Sequence, residues 1–453
     1  MAEQHSPPKD TTPSGTPLRA LVVLVVMGVI AMVAMPFIVT RARDARGHAP
    51  ATEAGDVAPP HPQQDTMQAR VVEPGITVLL RDSLHLVRGR RVGLLTNHSA
   101  IDAQGRRTAD LLHEAPDVTL TALFAPEHGL AGTARGGARI GSGIDSATGV
   151  PIRSLYGAVQ APTPAMLEDI DVLLYDVQDV GARPYTFVWT MTLAAESAAR
   201  RGIPLVVLDR PAPIRGDIME GGLLRSRFRS LVGRAAVPLR YGLTPGELVS
   251  WMARSGALQA DVRVVPLANW RRGLWYDETG LPWVRPSPNI TTLDAALLFA
   301  GIVFFEATNL SEGRGTPKPF HYVGAPWMTD AAGIARAMNA RGLPGLHFTA
   351  TEQRIGSGEK YGGRTIPVVE IAIVDRDAAR PVTAATWLLR EIVKRHPRDF
   401  SWQRGRGIEE LSGSTRLRTA VGESDEAVDR LLRDWDGEAD QFRRAVEPYR
   451  LYP

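Results

Sequence analysis

The chain has 453 residues, 44% hydrophobic and 22% charged, and contains no cysteine. That is enough apolar sequence for a large core and about two domains, and the missing thiol excludes disulfides, thiolate metal sites, a cysteine nucleophile and lipid attachment through cysteine. A net charge of +3, without any aromatic-rich basic motif, leaves no footprint for nucleic acid.

Residues 1–19 are polar and proline-rich and read as a disordered tail. Residues 20–40 (ALVVLVVMGVIAMVAMPFIVT) carry no charge and are flanked by Arg19 and Arg41. That length suits one transmembrane helix or signal anchor. A cleaved signal peptide is the rival reading, but no clean small-residue cleavage site follows, so an uncleaved membrane anchor is preferred. Residues 41–70, rich in Pro, Ala, Gln and His, read as a linker.

The globular part begins near Val71. Residues 91–96 are a short apolar run and predict a strand, followed by the loop Asn97-His98-Ser99. Helical spacing covers 108–115, and the next strand is 118–125. Residues 129–149 are glycine-rich and read as a loop. A short helix is expected at 164–170, a strand at 171–176, an alanine-rich helix at 190–201 and a strand at 205–209. Thr244 caps a helix running to Arg254, with Pro245 in its first turn. A strand at 262–266 follows, then an irregular aromatic stretch, Trp270 to Trp283. The Pro-fixed loop 285–289 precedes an apolar helix, 292–303. Beyond it a smaller α+β part holds a strand near 366–374 and helices at 384–395 and 426–433. Alternating strands and helices imply a parallel sheet covered on both faces. The expected organisation is therefore an α/β domain over 71–310 and a C-terminal α+β domain over 311–453.

The polar residues follow a pattern. Asn97-His98, Glu127-His128, the run Asp176 to Tyr185, and Asp209-Arg210 each come just after the carboxyl end of a predicted strand. In open parallel sheets that edge carries the ligand cleft. Glu127 and His128 sit between Pro126 and Gly129, on a turn the chain can make sharply. Glu127 is therefore the leading catalytic candidate, against the plain alternatives of a helix cap and a core histidine beside it. Asp176, Asp179, Arg183 and Tyr185 form a second group, in which an arginine fork suits a carboxylate ligand, although loop Asp–Arg pairs are common and weak. Glu220 and Glu312 lie in glycine-lined turns. No spaced set of metal ligands, nucleophile elbow, phosphate loop or dinucleotide fingerprint occurs. Several carboxylates around one polar cleft fit glycoside hydrolysis best, with Trp275, Trp283 and Tyr185 offered as flat faces for sugar rings. A metal-dependent hydrolase using His98, His128 and the aspartates is a competing reading.

The runs GLLTNH (93–98), FAPEHGL (124–130), DVQDVGARPYTF (176–187), LDRP (208–211), RPSPN (285–289), TNLSEGRGT (308–316) and GAPW (324–327) resemble the DUF1343 family, the NamZ-like exo-β-N-acetylmuramidases of glycoside hydrolase family 171. The likeness covers nearly all of 71–453. It implies a Rossmann-like N-terminal domain, a smaller C-terminal domain and a cleft between them. It further implies release of terminal N-acetylmuramic acid from the non-reducing ends of peptidoglycan fragments, and no cofactor. Carried over, Glu127 is the first catalytic choice, Glu312 the second and Asp179 the third. Asn97, His128, Arg183, Tyr185, Asn289, Asn309 and Arg314 are expected to bind substrate. Together with the anchor, this places the catalytic part in the periplasm at the inner membrane, or free in the periplasm if the signal is cleaved. Two positions depart from the family pattern: Ala212 stands where an asparagine is expected, and Tyr241 where a histidine is, the latter near a substrate subsite. With the anchor and linker, these departures leave a membrane-tethered, catalytically weak peptidoglycan-binding module as the alternative.

Overall fold

The computed structural model describes residues 71–453 apart from Arg406; the expected tail, anchor and linker lie outside the described residues. Seven strands form one sheet: β1 (Arg91–Thr96), β2 (Thr119–Ala125), β3 (Gly143–Ile144), β4 (Pro151–Ser154), β5 (Val172–Asp176), β6 (Leu205–Leu208) and β7 (Val262–Val265), in the order β3-β4-β2-β1-β5-β6-β7. Every neighbouring pair is parallel except β3 with β4. The chain builds outward from β1 on one side, then crosses back and builds outward from β5 on the other. The order therefore reverses between β1 and β5.

Strand alternation sorts the apolar side chains onto two faces. Val92, Leu94, Leu123, Leu174 and Val206 pack with Ile76 and Leu79 of helix α1 (Gly75–Asp82) and with Leu111 and Leu112 of α2 (Thr108–Glu114). Leu95, Phe124, Leu173, Tyr175 and Val207 face the other way, toward α3 (Phe187–Ala199), α4 (Pro245–Arg254) and α5 (Leu293–Ile302). Ten of the residues of α3 are buried, and α5 is buried along almost its whole length, as an apolar helix without a polar face must be. Thr244 caps α4 through a reciprocal capping box with Glu247, which is the start the sequence predicts.

The smaller C-terminal part has a three-stranded antiparallel sheet, β8 (Tyr322–Gly324), β9 (Leu346–Arg354) and β10 (Thr365–Ile373), in the order β8-β10-β9. Helices α6 (Ala331–Ala340), α7 (Pro381–Arg395), α8 (Gly407–Ser412), α9 (Arg416–Glu423) and α10 (Asp425–Val446) complete it. Its apolar residues, among them Val323, Val369, Leu388 and Val428, belong to the same cluster as α3 and α5. Helix α10 runs well past the predicted 426–433. Its buried stripe of Val428, Leu431, Trp435, Ala439, Phe442 and Val446 continues at three- and four-residue spacing to the end.

The chain returns to the main sheet at its last residues. The Tyr452 hydroxyl donates to Asp209, just past β6, at 2.5 Å, and its ring meets Trp270 edge-on at 5.0 Å. The Leu451 amide donates to Glu247 at 2.8 Å. No described helix is long and apolar enough to cross a membrane.

Candidate active site

Glu127 stands at the carboxyl end of β2, where Pro126 stops the strand. The turn is built by backbone that few side chains tolerate: His128 has φ +69° and Gly129 φ +76°. The His128 ring secures the following loop, its Nδ1 lying 2.7 Å from the Ala134 carbonyl. That loop also lies flat on His98, since a Cβ on Gly132 would sit 1.7 Å from the His98 ring. His98 is in turn fixed by its Nε2, 2.7 Å from the carbonyl of Arg285. The loop thereby returns to Glu127. The Gly137 amide donates to Oε1 at 3.1 Å, and the Thr186 hydroxyl, at the start of α3, donates to Oε2 at 2.8 Å. The Tyr156 phenol also bonds to Glu127; burial first, and then the neighbouring negative charge, push that phenol above its usual range.

A cavity of about 620 Å³ opens over this carboxylate, within the range of small-molecule sites. One wall is Glu127, His128 and Tyr156; Tyr185 continues it, braced edge-on by Phe187 at 4.7 Å and Phe299 at 5.7 Å. Asn289 of the Pro-fixed loop, Glu306 and Arg314 also line the cavity. Arg314 bonds Glu306 at 2.6 Å and Glu312 at 3.0 Å, and Lys360 reaches Glu312 at 3.0 Å. Burial and the nearby charge of Glu312 raise the Glu306 carboxyl against the pull of Arg314. At Glu312 burial works in the same direction, but Lys360 and Arg314 outweigh it and hold the group below its usual range.

The structure therefore gathers Glu127, His128, Tyr185, Asn289 and Arg314 around one cavity, as expected. It keeps six other candidate residues out of that lining. Glu312 is 4% exposed and spent on its ion pairs behind Arg314. Asp179 is buried beneath the site, accepting from the Gly181 amide at 2.7 Å and from the Tyr241 hydroxyl; burial raises it to about 6. Arg183 is fully buried and donates to the carbonyls of Gly222, Val237 and Leu411 at 3.0, 2.9 and 2.8 Å, so it ties three segments together instead of meeting a ligand. Asn97 turns back to Ser99 and lines a separate cavity of about 570 Å³ beside Arg107 and Asp145. Asn309 clamps residues 399–401, donating to the Asp399 carbonyl and accepting from the Ser401 amide. Glu220 accepts from the Thr383 amide at 2.9 Å and is raised to about 7 by burial.

The aromatic expectation is also corrected. Trp275 is core, its Nε1 donating to Asp377 at 2.8 Å, and Trp283 packs on Tyr276; neither lines the cavity. Tyr241 is core as well, so its departure from the family pattern changes the support under the site and not the cavity wall. Among the cavity residues missed are four that can ionise: Tyr156 follows the short β4, Glu306 lies in the turn after α5, and Arg135 and Glu359 lie next to glycines in exposed loops. Glycine on either side of a charge was the one available signal. Among the described residues no group of three or more His, Asp or Glu is placed to hold a metal ion.

A carboxylate-lined, arginine-rimmed cavity at the strand ends of a covered parallel sheet defines an α/β enzyme suited to cleaving a polar, oxygen-rich substrate such as a sugar. Its lineage is specific. Residues 92–294 match the family described as exo-beta-N-acetylmuramidase NamZ, N-terminal, and residues 297–452 its C-terminal counterpart. The chain is 37% identical over 395 residues to the peptidoglycan beta-N-acetylmuramidase NamZ of Bacillus subtilis (strain 168), covering 87% of this chain and 95% of that protein. Its fold is similar to two crystal structures of DUF1343 family proteins from Bacteroides fragilis NCTC 9343. One has TM-score 0.78 at 33% identity, covering 85% of this chain and 100% of the other. The second has TM-score 0.69 at 26% identity, covering 84% and 99%. The chain belongs to the NamZ family.

Proposed function

We propose that this protein is an exo-acting β-N-acetylmuramidase that removes terminal N-acetylmuramic acid from the non-reducing end of peptidoglycan fragments during cell-wall turnover. The family membership over nearly the whole globular chain carries the reaction class. The chemistry falls to the cavity. Glycoside hydrolysis uses two carboxyl groups in different protonation states. Glu306, raised by burial, suits the proton donor to the departing sugar oxygen. Glu127, surrounded by donors from Gly137, Thr186 and Tyr156, suits the anionic partner that acts as nucleophile or base. His128, Tyr185 and Asn289 complete the surface that would hold the sugar.

Incubation of the purified protein with a chromogenic β-glycoside of N-acetylmuramic acid, and with defined glycan fragments, tests this reading. Free N-acetylmuramic acid should appear from the first minutes, and the fragments should shorten from one end only. Internal cleavage, or no release, would refute it. We also propose from residues 20–40 that the enzyme is tethered to the inner membrane and works in the periplasm; recovery of the full chain in the soluble fraction of lysed cells would refute the tether.

A further inference from the structure

The cavity carries a charge pattern that the reaction chemistry does not explain. Its walls hold Glu127, Glu306 and Glu359 against Arg135 and Arg314. The two arginines are held very differently. Arg314 has both guanidinium nitrogens engaged, one by each of two carboxylates, and its side chain is 25% exposed. Arg314 thus already carries two carboxylate partners, and a ligand anion would have to displace one of them. Arg135 has a side chain 63% exposed and bonds Glu359 across the cavity mouth at 2.6 Å through one nitrogen. Its guanidinium lies against the backbone at Gly358, where a Cβ would come within 2.5 Å of Nη1. An exposed pair of this kind contributes little to stability, so Glu359 can be exchanged for another carboxylate at almost no cost.

The position of Arg135 is also fixed relative to the reaction. It immediately precedes Gly136 and Gly137, and the Gly137 amide is bonded to Glu127. A Cβ on Gly136 would stand only 3.8 Å from both the Glu127 Oε1 and the His128 ring. A ligand anion on Arg135 would therefore lie in the same cavity as Glu127, held by the residue next to the loop that bonds it. N-acetylmuramic acid differs from N-acetylglucosamine by a lactyl ether that ends in a carboxylate.

We propose that Arg135 is the specificity residue that receives this lactyl carboxylate, displacing Glu359 from its guanidinium as substrate enters. The proposal rests on the muramidase reading above. A guanidinium fork bonds a carboxylate with two parallel N–H donors, which a neutral group cannot match.

The test compares two chromogenic substrates: the β-glycoside of N-acetylmuramic acid and the same glycoside with its lactyl carboxylate converted to the primary amide. The wild-type enzyme should favour the acid by about 10- to 100-fold in kcat/KM, as expected for a charge-assisted contact. Arg135→Gln should bring the ratio to within about twofold of one, and Arg135→Lys should restore part of it by offering a point charge. Glu359→Gln should lower KM for the acid, because the competing carboxylate is gone. An acid-to-amide ratio in Arg135→Gln equal to that of wild type would overturn the proposal, as would a wild-type enzyme that does not distinguish the two substrates. Hydrolysis of neither by wild type would instead refute the muramidase reading, and the role of Arg135 with it.

Discussion

Replacing Glu127 by glutamine separates chemistry from architecture at this site. The substitution keeps the volume and the acceptor that the Gly137 amide needs at 3.1 Å. On the other side the new amide nitrogen faces the Thr186 oxygen, 2.8 Å from Oε2, and that hydroxyl can turn from donor to acceptor. The Tyr156 hydroxyl, which also bonds to Glu127, can turn in the same way, so the cost in stability is that of rearranged hydrogen bonds, about 1 kcal/mol each. What is lost is an oxygen that can carry a negative charge or a proton. That loss removes about 10²- to 10⁴-fold in kcat, or about 3–5 kcal/mol of barrier at about 1.4 kcal/mol per factor of ten. The assay is steady-state hydrolysis of the chromogenic muramic acid glycoside, with thermal unfolding followed on the same preparations. A kcat within tenfold of wild type, with an unchanged unfolding temperature, would show that Glu127 merely anchors the 129–137 loop. Glu127→Ala supplies the contrast: it leaves the Gly137 and Thr186 donors unpaired, so it should lower both rate and unfolding temperature.

Two further outcomes follow from the buried charges outside the cavity. Asp209 is raised to about 7, chiefly by burial, against the hydroxyls of Tyr452 and Thr244. Its folded pKa lies above its unfolded value of 3.8, so the folded state binds the extra proton. The stability that Asp209 contributes is complete below about pH 4 and is lost as pH rises to about 7, at about 1.4 kcal/mol per unit. Asp209→Asn should remove this component from the slope of urea-unfolding stability against pH, and an identical slope in the variant would refute the assignment. Arg210→Met should cost about 3–5 kcal/mol in urea unfolding, because it strands Asp176, 0% exposed, without the guanidinium that bonds it at 2.6 and 3.0 Å. A loss under 1 kcal/mol would refute that reasoning.

The central sheet was legible because its strands are short apolar runs bounded by glycine, proline or charge. β1 runs from Arg91 to Thr96 as expected, and the other predicted strands are found within a residue or two of their expected limits. The Thr244 cap was legible for the same kind of reason: hydroxyl, proline and Glu247 stand at the required spacing. What escaped was structure whose signal is tertiary. β3, the edge strand, and β4 beside it are short and have little apolar content, and they are stabilised by β2 and by each other. β9 alternates buried and exposed residues but is largely polar, and it is held by a full ladder to β10. The site divided in the same way. Glu127 could be found because a strand delivers it directly onto a turn. Arg183, Asn309 and Glu312 could not be told from ligand-binding residues by type, since an arginine reaching a substrate and one reaching three backbone carbonyls look alike in sequence. Only the position of those carbonyls decides between them.

The same distinction explains where the cavity lies. The strand order reverses between β1 and β5, and the crevice at such a reversal is where open α/β sheets usually bind ligands. Here that crevice is filled with protein. Asp176 at the end of β5 accepts two bonds from Arg210 and one from Thr108 at 2.5 Å, and Arg210 also donates to the Ile101 carbonyl at 2.7 Å. Beside them Asp209 accepts from the Gly246 amide at 2.8 Å and from Thr244 and the C-terminal Tyr452. These groups join the ends of β5 and β6 to α2, α4 and the chain terminus, and none of them lines the cavity over Glu127. The open space is displaced sideways, over the carboxyl ends of β2 and β4, where Glu127 and Tyr156 stand and where the C-terminal part can contribute a wall. Both parts of the molecule line that space, with Glu127 and Arg135 from one and Arg314 and Glu359 from the other. Charged residues at the strand ends thus have two separate placements in this fold: those at the reversal are bonded into the sheet, and those beside it line the cavity. Substitution at Asp176 or Arg210 should therefore lower stability well before it changes the acid-to-amide preference, whereas substitution at Arg135 should do the reverse.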